Sequence, residues 1–249
     1  MRSFWILVAA LSFGAGAEAA ECPGIAGGSP ALLHQDSQVR LEFIRHELSR
    51  DGVYAGRWWT GWIATYSALT AVQLGAAVAG TELPASETEH GVGSYLKSSR
   101  VQLYEGTATT VVGIASLLIS PLRSMWDGPA LDLRLSRPGQ SDPCADLKDA
   151  ELMLLRDGDA EATGHSVLIH LGNAALNIAG GLVIGIFFKQ WLNGLEAAVI
   201  GTAVGEVMIL TQPTGSEKAL ARYRSGDLGQ PPPPAVQLEA GPFWLAARF

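Results

Sequence analysis

With 249 residues, 48% of them hydrophobic and 16% charged, the chain is too apolar for disorder and long enough to bury one sizeable core or to form a compact membrane bundle. Its net charge of −7 and its lack of a lysine- or arginine-rich cluster exclude the electrostatic footprint of a nucleic-acid binder. The same balance speaks against docking on anionic lipid headgroups.

Residues 1–20 carry one basic side chain, Arg2, then an apolar stretch from Phe4 to Ala17, then small residues at Ala17 and Ala19 in an Ala-x-Ala setting. That order is the pattern of a secretory signal peptide, with cleavage expected near Ala19 or Ala20. Ala19, Ala20 and Glu21 do not make the lipobox that would lipidate Cys22. Export would deliver Cys22 and Cys144, the two cysteines of the chain, to an oxidising compartment, where a disulfide between them is the simplest outcome.

Beyond the signal there is almost no strand-period alternation, and the expected fold class is all-α. Ser29-Pro30 and Asp142-Pro143 each offer an N-cap followed by proline at the first helical position. The first opens an amphipathic stretch in which Leu41, Ile44, Leu48, Ala55, Trp59 and Trp62 recur at helical spacing; the second opens DPCADLKDAELMLLRDG. Four apolar segments follow at 61–81, 106–122, 166–188 and 197–212, the last interrupted by Glu206. They are long enough to be transmembrane helices. Gly181 and Gly185, then Gly201 and Gly205, give GxxxG spacings that let helix backbones approach. Trp58, Trp59 and Trp62 gather at one end of the first segment and Trp126 lies just beyond the second, positions expected of interfacial rings.

The halves resemble each other. Arg50-Asp51-Gly52 precedes the first apolar segment as Arg156-Asp157-Gly158 precedes the third, and Gly113 stands eight residues before Pro121 as Gly205 does before Pro213. The expected unit is an amphipathic helix followed by two apolar helices, occurring twice as a pseudo-repeat. The domains are then a signal peptide (1–20), a first helical half (21–125), a loop (126–145), a second helical half (146–225) and a proline-rich linker with C-terminal tail (226–249).

A four-span topology with the mature N-terminus outside puts 82–105 and 189–195 inside, and both cysteines on the oxidising side. Only Lys97, Arg100 and Lys189 then lie inside, against the positive-inside rule. A soluble periplasmic bundle, whose apolar helices bury one another, avoids that objection.

Ser166, His170, Asn173 and Asn177 share one face of the third apolar helix, and Tyr66, Thr70 and Gln73 make a similar stripe on the first. In lipid these faces must turn inward and pair, with Glu206 as the charged member. A proton site would centre on Glu206 and His170; ordinary interhelical hydrogen bonding is the favoured account of the set. No GxSxG, HExxH, Walker loop or paired CxxC is present, and His165 and His170 lie about 140° apart around a helix, which suits a shared metal poorly. No enzyme activity, metal or cofactor is expected.

After QPPPP at 230–234, Phe243, Leu245, Ala247 and Phe249 alternate to the last residue, which resembles the C-terminal signal strand of outer-membrane barrels. The signal peptide, WWTGW opening one Ala/Gly-rich helix, GTAVGEVMILTQP closing another and the terminal phenylalanine together resemble uncharacterised exported helical envelope proteins of myxobacteria-like bacteria. That resemblance implies an envelope address and no activity.

The expectation is an exported envelope protein, embedded in the inner membrane by preference and the outer as an alternative, with a structural or interaction role. The competing readings are a small transporter or channel, with a ligand or proton path along His170, Asn173, Asn177, Glu206, Tyr66 and Gln73, and a soluble periplasmic binding domain. Expected partners are membrane lipid, other envelope proteins or a second copy of the chain, and no nucleic acid.

Overall fold

The computed structural model describes residues 22–79, 100–137 and 142–229, together with the backbone of 237–241 and 244–248. The segment expected as a signal peptide, most of the first inter-helix loop, QPPPP, Phe243 and Phe249 lie outside the described residues. The chain is all-helical apart from a tail hairpin: α1 Pro30–Leu33, α2 Ser37–Ala79, α3 Arg100–Ile119, α4 Ser124–Leu135, α5 Pro143–Gly164, α6 Val167–Phe188, α7 Trp191–Leu210, α8 Gly215–Ser225, then β1 Gln237–Gly241 paired antiparallel with β2 Trp244–Arg248.

Both cap signals act as read, but with different reach. Asp142 accepts from the backbone N–H of Cys144 and Ala145 and starts the 22-residue α5. Ser29 accepts from Leu32 N at 3.3 Å and starts a helix of only four residues. The long amphipathic helix begins instead at Ser37, where Asp36 Oδ1 accepts from Gln38 N at 2.7 Å. Two further expectations are corrected. The first amphipathic helix and the first apolar segment are one continuous 43-residue helix: no proline interrupts the run, and Asp51 and Gly52, which could have ended it, pack instead against Gly215 and the Ser124 carbonyl. The span 126–145 expected as a loop holds most of α4, which buries Leu131 and packs Gly128 so tightly on α2 that a Cβ there would lie 3.1 Å from the Leu48 backbone.

Two storeys result. The lower half of α2 with α1, α4, α5 and α8 forms a head with a conventional core of Leu32, Ile44, Leu48, Leu131, Leu147, Leu154 and Tyr223. Cys22 and Cys144, with Cα atoms 5.2 Å apart, close this head as a disulfide across 122 residues. The upper half of α2 pairs with α3, and α6 pairs with α7, as two helical hairpins standing on it. Four helices are thus long and apolar enough to cross a membrane, and at most 28% of the most apolar stretch of any of them is buried. Their large side chains point outward: Leu168 is 76% exposed, Phe187 75% and Leu192 72%.

The tryptophans expected as interfacial rings are tied into the protein where hairpins meet head. Trp58 and Trp62 both donate to Thr211 Oγ1, at 3.2 and 3.3 Å, and Trp59 Nε1 donates to the Leu117 carbonyl at 3.0 Å. Trp126 remains half exposed.

Candidate functional site

The α6–α7 hairpin is held at its tight end by glycine. Lys189 takes a left-handed conformation (φ 62°) to close the turn. A Cβ on Gly194 would lie 2.2 Å from the Gly181 carbonyl oxygen, so the two backbones touch. Farther along, asparagine side chains of α6 occupy the notches left by glycines of α7: Asn177 at Gly201 and Asn173 at Gly205.

The polar stripe read from α6 assembles there. His170 Nδ1 lies 2.6 Å from Glu206 Oε2, and Asn173 Nδ2 donates to Glu206 Oε1 at 2.9 Å and to the Thr202 carbonyl at 3.0 Å. Asn177 Nδ2 donates to Asn173 Oδ1 at 3.0 Å. Four of the predicted site residues therefore form one connected network across α6 and α7. The His170–Glu206 pair sits within the first turn of α6 and the last two turns of α7, and both side chains are about 30% exposed, so the charged end of the stripe faces the rim near the head rather than the bundle axis.

Tyr66 and Gln73 do not join that network. They belong to the other hairpin, where Tyr66 seats against Gly113 and Gln73 against Gly106, while Thr70 and Thr110 share a 2.8 Å hydrogen bond. Tyr66 reaches across to Met208 Sδ at 3.3 Å. Between the hairpins lies a cavity of ≈ 390 Å³, a volume in the range of small-ligand sites. Tyr66, Gln73, Asn173 and Asn177 line it, whereas His170 and Glu206 do not.

One cavity residue escapes the sequence reading. Glu105 stands one position before the uncharged segment that begins at 106, inside α3, and projects toward Gly180 of α6, where a Cβ would come within 2.3 Å of its Oε1. Thr109 Oγ1 donates to that oxygen at 3.0 Å. The signal for it is a single carboxylate one turn into an otherwise apolar helix.

Two polar clusters occupy the head. Arg40, 1% exposed, donates through Nε to the Tyr223 hydroxyl at 2.9 Å and through Nη1 to the Cys22 carbonyl at 3.2 Å, and pairs through Nη2 with Glu151, which also accepts from Tyr223. This cluster joins α2, α5, α8 and the disulfide-bearing segment. The second gathers Asp51 of α2, Asp127 of α4 and Asp157 and Glu161 of α5 beside the start of α8. Ser216 donates to Asp51 Oδ2 at 2.7 Å, Glu217 N donates to Glu161 Oε2 at 2.9 Å, and Arg156 pairs with Asp127.

Among the described residues neither Asp157 oxygen has a hydrogen-bond donor, and neither does Glu161 Oε1; Arg156 Nε stands 3.8 Å from Asp157. Burial, then the charge of Asp127 facing it, pushes the Asp157 carboxyl up to about 8. Burial, then the charge of Asp51, pushes Glu161 up to about 10. Carboxyl oxygens facing one another can bond only through a proton, so these two side chains are held as acids at neutral pH. Among the described residues no group of three or more His, Cys, Asp or Glu side chains is arranged to hold a metal ion.

No known protein family, curated protein or solved structure matches this chain.

Proposed function

We propose that the chain is an exported, membrane-embedded protein of the bacterial cell envelope, non-enzymatic, in which a disulfide-closed head stands outside on four membrane-spanning helices and serves a structural or interaction role. The observation that carries this reading is the contrast between the two storeys. The head buries Leu32, Leu48, Leu131, Leu147 and Leu154 in one core, while the hairpins turn large apolar side chains outward along both of their helices. Lipid is the solvent such a surface requires. The disulfide favours the oxidising side for the head.

Most Lys and Arg residues fall in the head, yet long segments cross largely regardless of charge. Many of them are also paired in the fold: Arg40 with Glu151, Arg45 with Asp132, Arg156 with Asp127 and Arg222 with Glu47. Within the spans, the His170–Asn173–Asn177–Glu206 network supplies its own partners, as helix-packing groups do.

Membrane retention after carbonate washing tests the address, with release into the osmotic-shock fraction as the result that sinks it. Reporter fusions near residues 90 and 139 test the topology; a cytoplasmic signal at the first and an exported one at the second is expected. For the network, Glu206→Gln should lower stability and leave vesicle ion flux unchanged. A change in flux at unchanged stability would move the reading to a proton-linked transporter.

A further inference from the structure

A carboxylate and a carboxamide line the cavity between the hairpins. Gln73 is 7% exposed, and its enclosed Oε1 has no hydrogen-bond donor among the described residues. Its carboxamide is pressed against α3 at Gly106, where a Cβ would lie 2.6 Å from that oxygen. The adjacent residue, Glu105, brings a carboxylate to the same cavity from α3 toward α6, with Thr109 Oγ1 as its donor among the described residues. Thr109 supplies one donor to the Glu105 carboxylate, and surrounding hydrocarbon can supply none. The rest of the lining is mainly apolar, with Leu69, Val112, Leu168 and Ile200 beside the side chains of Asn173 and Asn177. A site with one carboxylate acceptor and a largely apolar body asks for a molecule with the complementary pattern: N–H donors and a positive charge at one end, hydrocarbon at the other.

We propose that this cavity is a binding site for a hydrophobic amine, whose ammonium group donates to Glu105 while its apolar body lies between the two hairpins. The site goes beyond the structural role proposed above. It is built by the four helices themselves, so it stands or falls separately from the cellular address. Release of the chain by carbonate would sink the address and leave the cavity in place; failure of amine binding would leave the address standing.

The test uses the full chain in lipid nanodiscs, with three probes of one shape: radiolabelled 1-adamantylamine, 1-adamantanol and 1-adamantanecarboxylate, measured by equilibrium dialysis against empty nanodiscs. Saturable binding of one amine per chain is expected, with the alcohol and the carboxylate each at least tenfold weaker. Glu105→Gln should weaken amine binding at least tenfold and leave the alcohol unaffected. Equal binding of amine and alcohol, unchanged amine binding by Glu105→Gln, or no saturable binding at all would each overturn the proposal. Should Glu105→Gln fail to fold, Ile200→Phe decides: it fills the apolar part of the cavity and leaves Glu105 in place, so amine binding must be lost, and retained binding overturns the site.

Discussion

The two hairpins solve the same packing problem with different chemistry. In each, polar side chains of the first helix sit in notches left by glycines of the second: Tyr66 on Gly113 and Gln73 on Gly106 in one, Asn173 on Gly205 and Asn177 on Gly201 in the other. In α6–α7 the asparagines bond onward to Glu206, to the Thr202 carbonyl and to each other, and Gly181 and Gly194 bring the backbones into contact. In α2–α3 the notches hold a ring and an amide whose oxygen is left without a donor. A polar group with its partners supplied holds helices together; one enclosed without a donor adds no such bond.

Adding one methyl group where backbones touch breaks this comparison most severely. Gly194→Ala should cost about 3 kcal/mol, because the neighbour at 2.2 Å is a main-chain oxygen with no rotamer to escape into. Gly75→Ala in the first hairpin, where nothing lies within 4 Å of an added Cβ, should be neutral or up to about 1 kcal/mol stabilising. Thermal melts of the two variants in one detergent compare them directly. Next in size, Asn173→Leu leaves Glu206 Oε1 without its amide donor and should cost about 1–3 kcal/mol, against about 1 kcal/mol or less for Thr110→Val. Equal losses would end the distinction between a bonded hairpin and an open one.

The head carries the same contrast, between the fully partnered Arg40–Glu151–Tyr223 cluster and the facing carboxyls of Asp157 and Glu161. Both acids have folded-state values raised above the usual carboxylate range of about 4, so the folded chain holds protons that the unfolded chain releases. Their contribution is complete below about pH 4 and is lost as pH rises through about 8 and then about 10. The melting temperature should therefore fall from neutral to alkaline pH. Glu161→Gln should flatten the upper part of that fall, and an unchanged slope in the variant would contradict the assignment. The smallest effect belongs to Gln73→Leu, expected within about 0.5 kcal/mol of the parent in the absence of ligand, since its oxygen forfeits no bond. A loss above 1 kcal/mol would mean that the acceptor is satisfied in the folded protein, and the contrast between hairpins would go with it.

What could be read along the chain is what local pattern controls. Apolar runs mark the four long helices, Asp142-Pro143 marks a helix start, and the i, i+3, i+7 spacing of His170, Asn173 and Asn177 places them on one face. The pairing of that face with Glu206 follows from the cost of leaving polar groups without partners on an otherwise apolar helix. What could not be read depends on residues far apart. Arg40 meets Glu151 across 111 positions and Tyr223 across 183, and no periodicity announces either. Helix α4 falls largely in the span expected as a loop, carries Pro129 inside it, and is held by packing on α2. Glu105 was passed over because one carboxylate at the edge of an apolar run looks like its boundary. The duplication expected from the two Arg-Asp-Gly sequences remains a proposal; Gly52 and Gly158 do each sit where a short helix crosses, against the Ser124 and Ser216 carbonyl oxygens.

The unbroken course of α2 has a mechanical corollary. Forty-three residues of helix make a rod of about 65 Å, clamped in the head at Arg40 and Gly52 and free of any joint before it reaches the cavity. Gln73 stands about 32 Å beyond Gly52, so a tilt of about 5° at the clamp swings it by about 3 Å. Helix α5, by contrast, ends at Gly164, and α6 begins afresh after the extended Ser166. One wall of the cavity is thus the arm of a lever whose fulcrum lies in the head, and the other hangs from a hinge.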